Sequence, residues 1–131
     1  MAPNPVEGLL AGAVPDLERS LRFRVQRQGV LAANLANADT PGYRRAELHF
    51  EDALANAMAQ TDPRHLAGAS RGPGGHRVEI EPPSRSPDRN GVDLGQEVLE
   101  VSRNAGQFSQ QAAVLARLIA LARIAATGEP R

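Results

Sequence analysis

The stretch from Asp93 to Gly128 reads DLGQEVLEVSRNAGQFSQQAAVLARLIALARIAATG, and its apolar pattern decides the fold. Leu94, Val98, Val101, Ala105, Phe108, Ala112, Leu115, Ile119, Ala122 and Ala126 follow one another at alternating steps of four and three. That is a heptad seam along one long helix. Asp93 with Gln96 three residues on makes a capping-box variant, and Gly128 is a natural stop. A second seam, Val114, Leu118, Leu121 and Ala125, repeats the same steps one residue earlier. Between Ala112 and Ala126 only Arg117 and Arg123 are charged. A helix that is apolar nearly all round must be covered from several sides. The two seams predict a chain that is only partly helical alone and orders on assembly. Spacing alone allows equally a plain antiparallel hairpin that buries both seams internally or as a dimer.

Upstream of this helix the periodicity disappears. From Thr61 to Gly91 about a third of the residues are Gly or Pro, including Arg71-Gly72-Pro73-Gly74-Gly75 and Pro82-Pro83, which reads as a largely disordered loop. Arg77 to Glu81 alternates like one edge strand, but a single strand has no sheet to join. A short helix is expected from Glu51 to Gln60, with Phe50, Leu54 and Met58 on one face. The first long helix is expected from Asp16 to Asn37, with Pro15 and Asp16 as its start. Its stripe of Val14, Leu17, Leu21, Leu31, Leu35 and Ala38 is interrupted by Arg24 and Gln28, so it covers only one side of a partner. The expected class is all-α: two long terminal helices pairing as a coiled coil, a short second helix and a middle loop. Residues 16–60 and 92–127 then form one domain, with flexible segments at 1–15 and 61–91.

Composition removes many functions. The chain has 131 residues, fifteen basic and fifteen acidic, so no net charge attracts nucleic acid or an anionic membrane. All the basic residues are arginine, a slant that a GC-rich genome produces unaided. Cysteine is absent, which excludes disulfides, thiolate metal sites and a cysteine nucleophile. The N-terminus is a poor secretory signal and no window spans a membrane. His49, His65 and His76 lack metal-ligand spacing, and the glycines at 72, 74 and 75 follow no buried strand. The carboxylate pairs lie on solvated segments, and the arginines at 19, 22, 24 and 27 read as a solvated helix face without a stacking platform. No enzyme, cofactor or metal is expected.

The segment Ala33 to Tyr43, ANLANADTPGY, has a mechanical reading. Asn34 and Asn37 end a helix, Asp39 can form an Asx-turn, and Thr40-Pro41-Gly42 supplies a turn with positive φ at Gly42. Tyr43 follows directly. The whole string resembles the signature of the flagellar rod and hook family of axial proteins, and Val30 to Phe50 looks most like its proximal-rod members. Asn90 to Leu94, then Glu97 and Asn104, resembles that family's second block.

The resemblance implies a structural rod subunit, exported without a cleaved signal by the flagellar type III apparatus. It implies terminal helices that pair in the innermost layer of a helical tube across the periplasm and transmit torque. Implied partners are copies of itself, other rod proteins and FliE, the adaptor joining rod to membrane ring. Assembly contacts fall on Leu17, Leu21, Leu31, Leu35, Leu94, Val98, Val101, Phe108, Leu115, Leu118, Ile119 and Leu121. Phe50 and Leu54 look like an element that export substrates present to the export gate. The rival reading is a cytosolic helical-hairpin module that binds other proteins.

Overall fold

The structure, a computed structural model, describes residues 5–50 and 76–128. The expected helix at Glu51–Gln60, with Leu54, and the loop from 61 to 75 lie outside the described residues. Two long helices dominate: α1 over Pro5–Ala36 and α2 over Leu94–Thr127. At 32 and 34 residues each is about 50 Å long. Between them a two-stranded antiparallel sheet pairs β1, Ala46–His49, with β2, Arg77–Ile80.

The first helix starts eleven residues before the expected Asp16. Pro5 occupies its first turn, where a missing N–H costs nothing, and Pro15 is interior. An interior proline forfeits one helical hydrogen bond, a cost of about 3 kcal/mol. The upstream turns are still worth forming because the half-buried stripe continues through Leu17, Val14, Ala13 and Leu10.

The strand at residue 77 does have a partner. Leu48 opposite Val78 sets the register, and Leu48 is buried. Ala46-Glu47-Leu48-His49 is too short and too polar to announce itself as a strand. Glu47 faces Glu79 across the ladder, a destabilising pair unless each finds a cation. Glu47 turns to Arg27 and Arg45, and Glu79 to His49 and Arg77. The fold is therefore helical with a small sheet. Residues 76 to 91, expected as part of a loop, are ordered by this pairing and by bonds to the end of α1.

The helices run antiparallel: Asn34, Gln28 and Ser20 of α1 meet Glu97, Asn104 and Gln111 of α2 in turn. The line of α2 facing α1 is Glu97, Val101, Asn104, Phe108, Gln111, Leu115, Leu118 and Ala122. Its steps are again four and three, but it is rotated from the seam that starts at Leu94. Every seventh residue of its first half is polar. Among the described residues the buried apolar side chains are Phe23, Leu31 and Leu48, beside five buried polar ones. His76 is one of these, stacked on Phe50 at 5.4 Å and edge-on to Phe23 at 5.1 Å.

Candidate functional site

The corner that ends α1 is built on asparagine amides. Asn34 Nδ2 donates to the Ala46 carbonyl at 2.7 Å and to Glu97 Oε1 at 2.8 Å. Its Oδ1 accepts from the Ala46 N–H at 3.0 Å and from the Tyr43 hydroxyl at 3.2 Å. The amide thus imitates a strand edge against Ala46 and ties helix, turn and sheet together. Asn37 Nδ2 returns to the Ala33 carbonyl, and its Oδ1 accepts from the Thr40 hydroxyl. Thr40, Pro41, Gly42 and Tyr43 form the turn, closed by Tyr43 N–H to the Thr40 carbonyl at 3.2 Å, with Gly42 at φ +73°. This is the type II geometry in which glycine is needed.

The second block locks the corner from outside. Asn90 Nδ2 donates to the carbonyls of Asn37 and Thr40 at 2.9 and 2.7 Å, and its Oδ1 accepts from the Val92 N–H. Those carbonyls also accept the turn's own Thr40 and Tyr43 N–H groups, so Asn90 clasps a turn that is already closed. Gly42 N–H donates to the Asp88 carbonyl and Gly91 N–H to the Tyr43 carbonyl. A Cβ at Gly91 would sit 3.4 Å from the Arg45 nitrogen, so the two chain segments approach closely there. The Asx-turn expected at Asp39 is found instead at Asp88, whose Oδ1 accepts from the Asn90 N–H. That bond and one from the Ser86 hydroxyl lower the Asp88 pKa. Among the described residues the Asp39 side chain has no hydrogen bond.

Two arginines join the corner to the helix pair. Arg45 donates through Nε to Glu97 at 2.7 Å, through Nη2 to Glu47 at 2.7 Å and through Nη1 to Glu81 at 3.0 Å. Arg27 donates through Nε to Glu47 at 2.8 Å and through Nη2 to Glu100 at 3.0 Å. Burial alone would lower both guanidinium pKa values. The hydrogen bonds outweigh it, led by Glu97 for Arg45 and by Glu47 for Arg27, and hold both above the ordinary value. The bond from Arg27 lowers the Glu100 carboxyl against the opposing effect of burial. Arg27 is therefore a half-buried ion-pair residue, not part of a solvated face, whereas Arg19 and Arg22 are exposed as expected.

At the start of α2, Asp93 Oδ1 accepts from the Gln96 N–H at 2.9 Å. The return half of the capping box is not made, because Gln96 Nε2 reaches Glu100. Gly128 closes the helix at φ +70° as its sequence position predicts.

The expected assembly residues divide into two groups. Leu31 is buried, and Leu17, Leu21, Leu35, Val101, Leu115 and Leu118 are half-buried. Leu94, Val98, Phe108, Ile119 and Leu121 are exposed, Leu94 by 59 % and Leu121 by 54 %. The Leu94 seam coincides with the contact line at Val101, Phe108, Leu115 and Ala122; its alternate members Val98, Ala105 and Ile119 lie along one flank, and Val114 and Leu121 lie on the other. Apolar spacing does not point to Glu97, Asn104, Arg27 or Arg45, although the second-block resemblance includes Glu97 and Asn104. The seven-residue interval from Glu97 through Asn104 to Gln111 was the available signal: polar residues repeating at heptad spacing face a partner helix. Phe50 packs edge-on against Phe23 at 5.2 Å. Among the described residues no group of His, Asp or Glu is arranged to hold a metal ion, and no helix is long and apolar enough to cross a membrane.

A helix pair with a locked asparagine corner and outward apolar flanks is the anatomy of an assembly subunit. The profile of the flagella basal body rod protein family matches residues 24–44, from mid-α1 through the corner. The flagellar basal body rod protein FlgB of Aeromonas hydrophila is 36 % identical over 98 residues, covering 68 % of this chain and 73 % of the relative. FlgB of Cereibacter sphaeroides is 31 % identical over 116 residues, covering 85 % and 91 %. FlgB of Escherichia coli is 31 % identical over 111 residues, covering 75 % and 80 %. The chain belongs to the FlgB family of flagellar basal-body rod proteins. It is a structural component of the flagellar rod and not an enzyme.

Proposed function

We propose that this subunit builds the proximal part of the rod by packing its two terminal helices against those of its neighbours, and that torque passes across the periplasm through these contacts. The observation that carries this reading is the inverted distribution of side chains. Eleven large apolar residues are exposed among the described residues, eight of them on α2, while five polar ones are buried. Each large side chain contributes about 1.5–3 kcal/mol when fully covered, so the half-exposed α2 flanks hold several kcal/mol of burial that the hairpin alone leaves unrealised. Coiled-coil packing then arises between chains as much as within one. The neighbours are further copies, other rod proteins and FliE at the ring end. Delivery is by the type III export apparatus without a cleaved signal; Phe50 and Leu54 would serve the export gate while the chain is unfolded, since Phe50 in the fold leans on Phe23. Deleting the gene tests the reading: basal bodies should retain membrane rings and lack a rod. Normal rods in the deletion strain would refute it.

A further inference from the structure

α1 carries four arginines between residues 19 and 27, and three have carboxylates. Arg19 meets Asp16 at 3.4 Å, Arg22 meets Glu18 at 4.0 Å, and Arg27 is held by Glu47 and Glu100. Arg24 differs. Among the described residues it forms no ion pair, its Nε is buried without a hydrogen-bond partner, and its guanidinium lies 5.5 Å from the Phe23 ring centre. Burial, and next the charge of Arg27, lower its pKa, the mark of a cation short of a counter-charge.

Arg24 borders an open groove of about 500 Å³ between the helices, walled by Val25, Gly29 and Ala32 of α1 and by Ala105 and Phe108 of α2. Asn104 also lines it and is only 1 % exposed. Its Nδ2 is used twice inside the hairpin, on the Arg24 carbonyl and on Gln28, but its Oδ1 has no partner. Gly29 adds an independent sign. A glycine in a helix interior costs about 1 kcal/mol relative to alanine, yet a Cβ at Gly29 would meet nothing within 4 Å. Among the described residues no atom requires a bare backbone there. An approaching backbone from outside would.

We propose that this groove seats a helix from a neighbouring chain, packed closely over Gly29 and Ala32, whose face carries apolar side chains and one carboxylate that pairs with Arg24. The choice of an acidic helix rests on charge complementarity, since a half-buried cation without a counter-ion favours an anionic partner most and disfavours a basic one. The inference rests on the rod reading and adds the chemistry of the neighbour.

The test uses the full-length chain, expressed in its own flagellated cells, with two readouts: the melting midpoint of the purified protein and its amount in isolated basal bodies. Gly29→Leu places its Cβ in open space and its branch in the groove, so its midpoint should equal or exceed the parent's while incorporation falls at least tenfold. Ala32→Leu, at an exposed position on the same wall, should behave alike and guards against a folding defect in either variant. Arg24→Lys should incorporate and Arg24→Glu should not. Parental incorporation of both groove-filling variants would overturn the groove. Parental incorporation of Arg24→Glu would overturn the carboxylate. Absence of the parent chain itself from basal bodies would overturn the rod reading, and this inference with it.

Discussion

Asn34 uses both amide hydrogens and both lone-pair directions of its carbonyl within the corner, and no other residue could do so at that place. Removing the amide leaves the Ala46 peptide and the Glu97 carboxylate short of partners. Each unmatched buried group costs about 1–3 kcal/mol, so Asn34→Ala should lose on the order of 3 kcal/mol in urea unfolding. Asn34→Asp should lose more, because a second carboxylate would face Glu97; equal midpoints for the two variants would contradict the assignment. Glu100 gives a residue-scale pH test. Its folded pKa is depressed below the ordinary glutamate value of about 4.3. Its contribution is therefore complete above that value and is lost as pH falls through the lower folded value. Parent and Glu100→Gln should differ in unfolding midpoint at pH 7 and converge below about pH 4; a gap independent of pH would exclude this pairing.

At the scale of elements, Arg45 holds β1, β2 and α2 together through three carboxylates, one of them the fully buried Glu97. Breaking one side of a buried pair costs about 3–5 kcal/mol. Arg45→Met should lose that much, and Arg45→Met with Glu97→Gln should recover part of it. A double variant as unstable as the sum of the singles would place the two residues in separate networks. The helices themselves were legible in the sequence, because apolar residues recurring every three and four positions over so long a stretch fit a helix and no strand. The corner was legible for its turn, since Pro41-Gly42 admits few backbone paths. What the asparagines bond to was not, because Asn34 reaches Glu97 across 63 positions of chain and Asn90 reaches Asn37 across 53. The start of α1 was misplaced because Pro15 looks like a boundary. Its ring is exposed, so Pro15→Ala should raise both helicity and melting temperature, by up to about 3 kcal/mol of relieved cost.

For the whole molecule, the heptad seams predicted burial on several sides but not which side α1 takes. Seam counting weighs only apolar residues, and the contact with α1 is specified by Glu97, Asn104 and Gln111. Part of each apolar seam, Val98, Ala105 and Ile119 of the first and Val114 and Leu121 of the second, is thereby left to the flanks, where a second and third helix can be received. Leu121 separates the two roles cleanly, being 54 % exposed and remote from the polar contacts. The most direct measurement is the incorporation of Leu121→Asp into basal bodies, read beside the melting midpoint of the purified chain. The midpoint should stay within about 0.5 kcal/mol of the parent, as for an exposed substitution, while rods and swimming are lost. Normal rods built from Leu121→Asp would contradict the claim that the outward flanks of α2 are assembly surfaces.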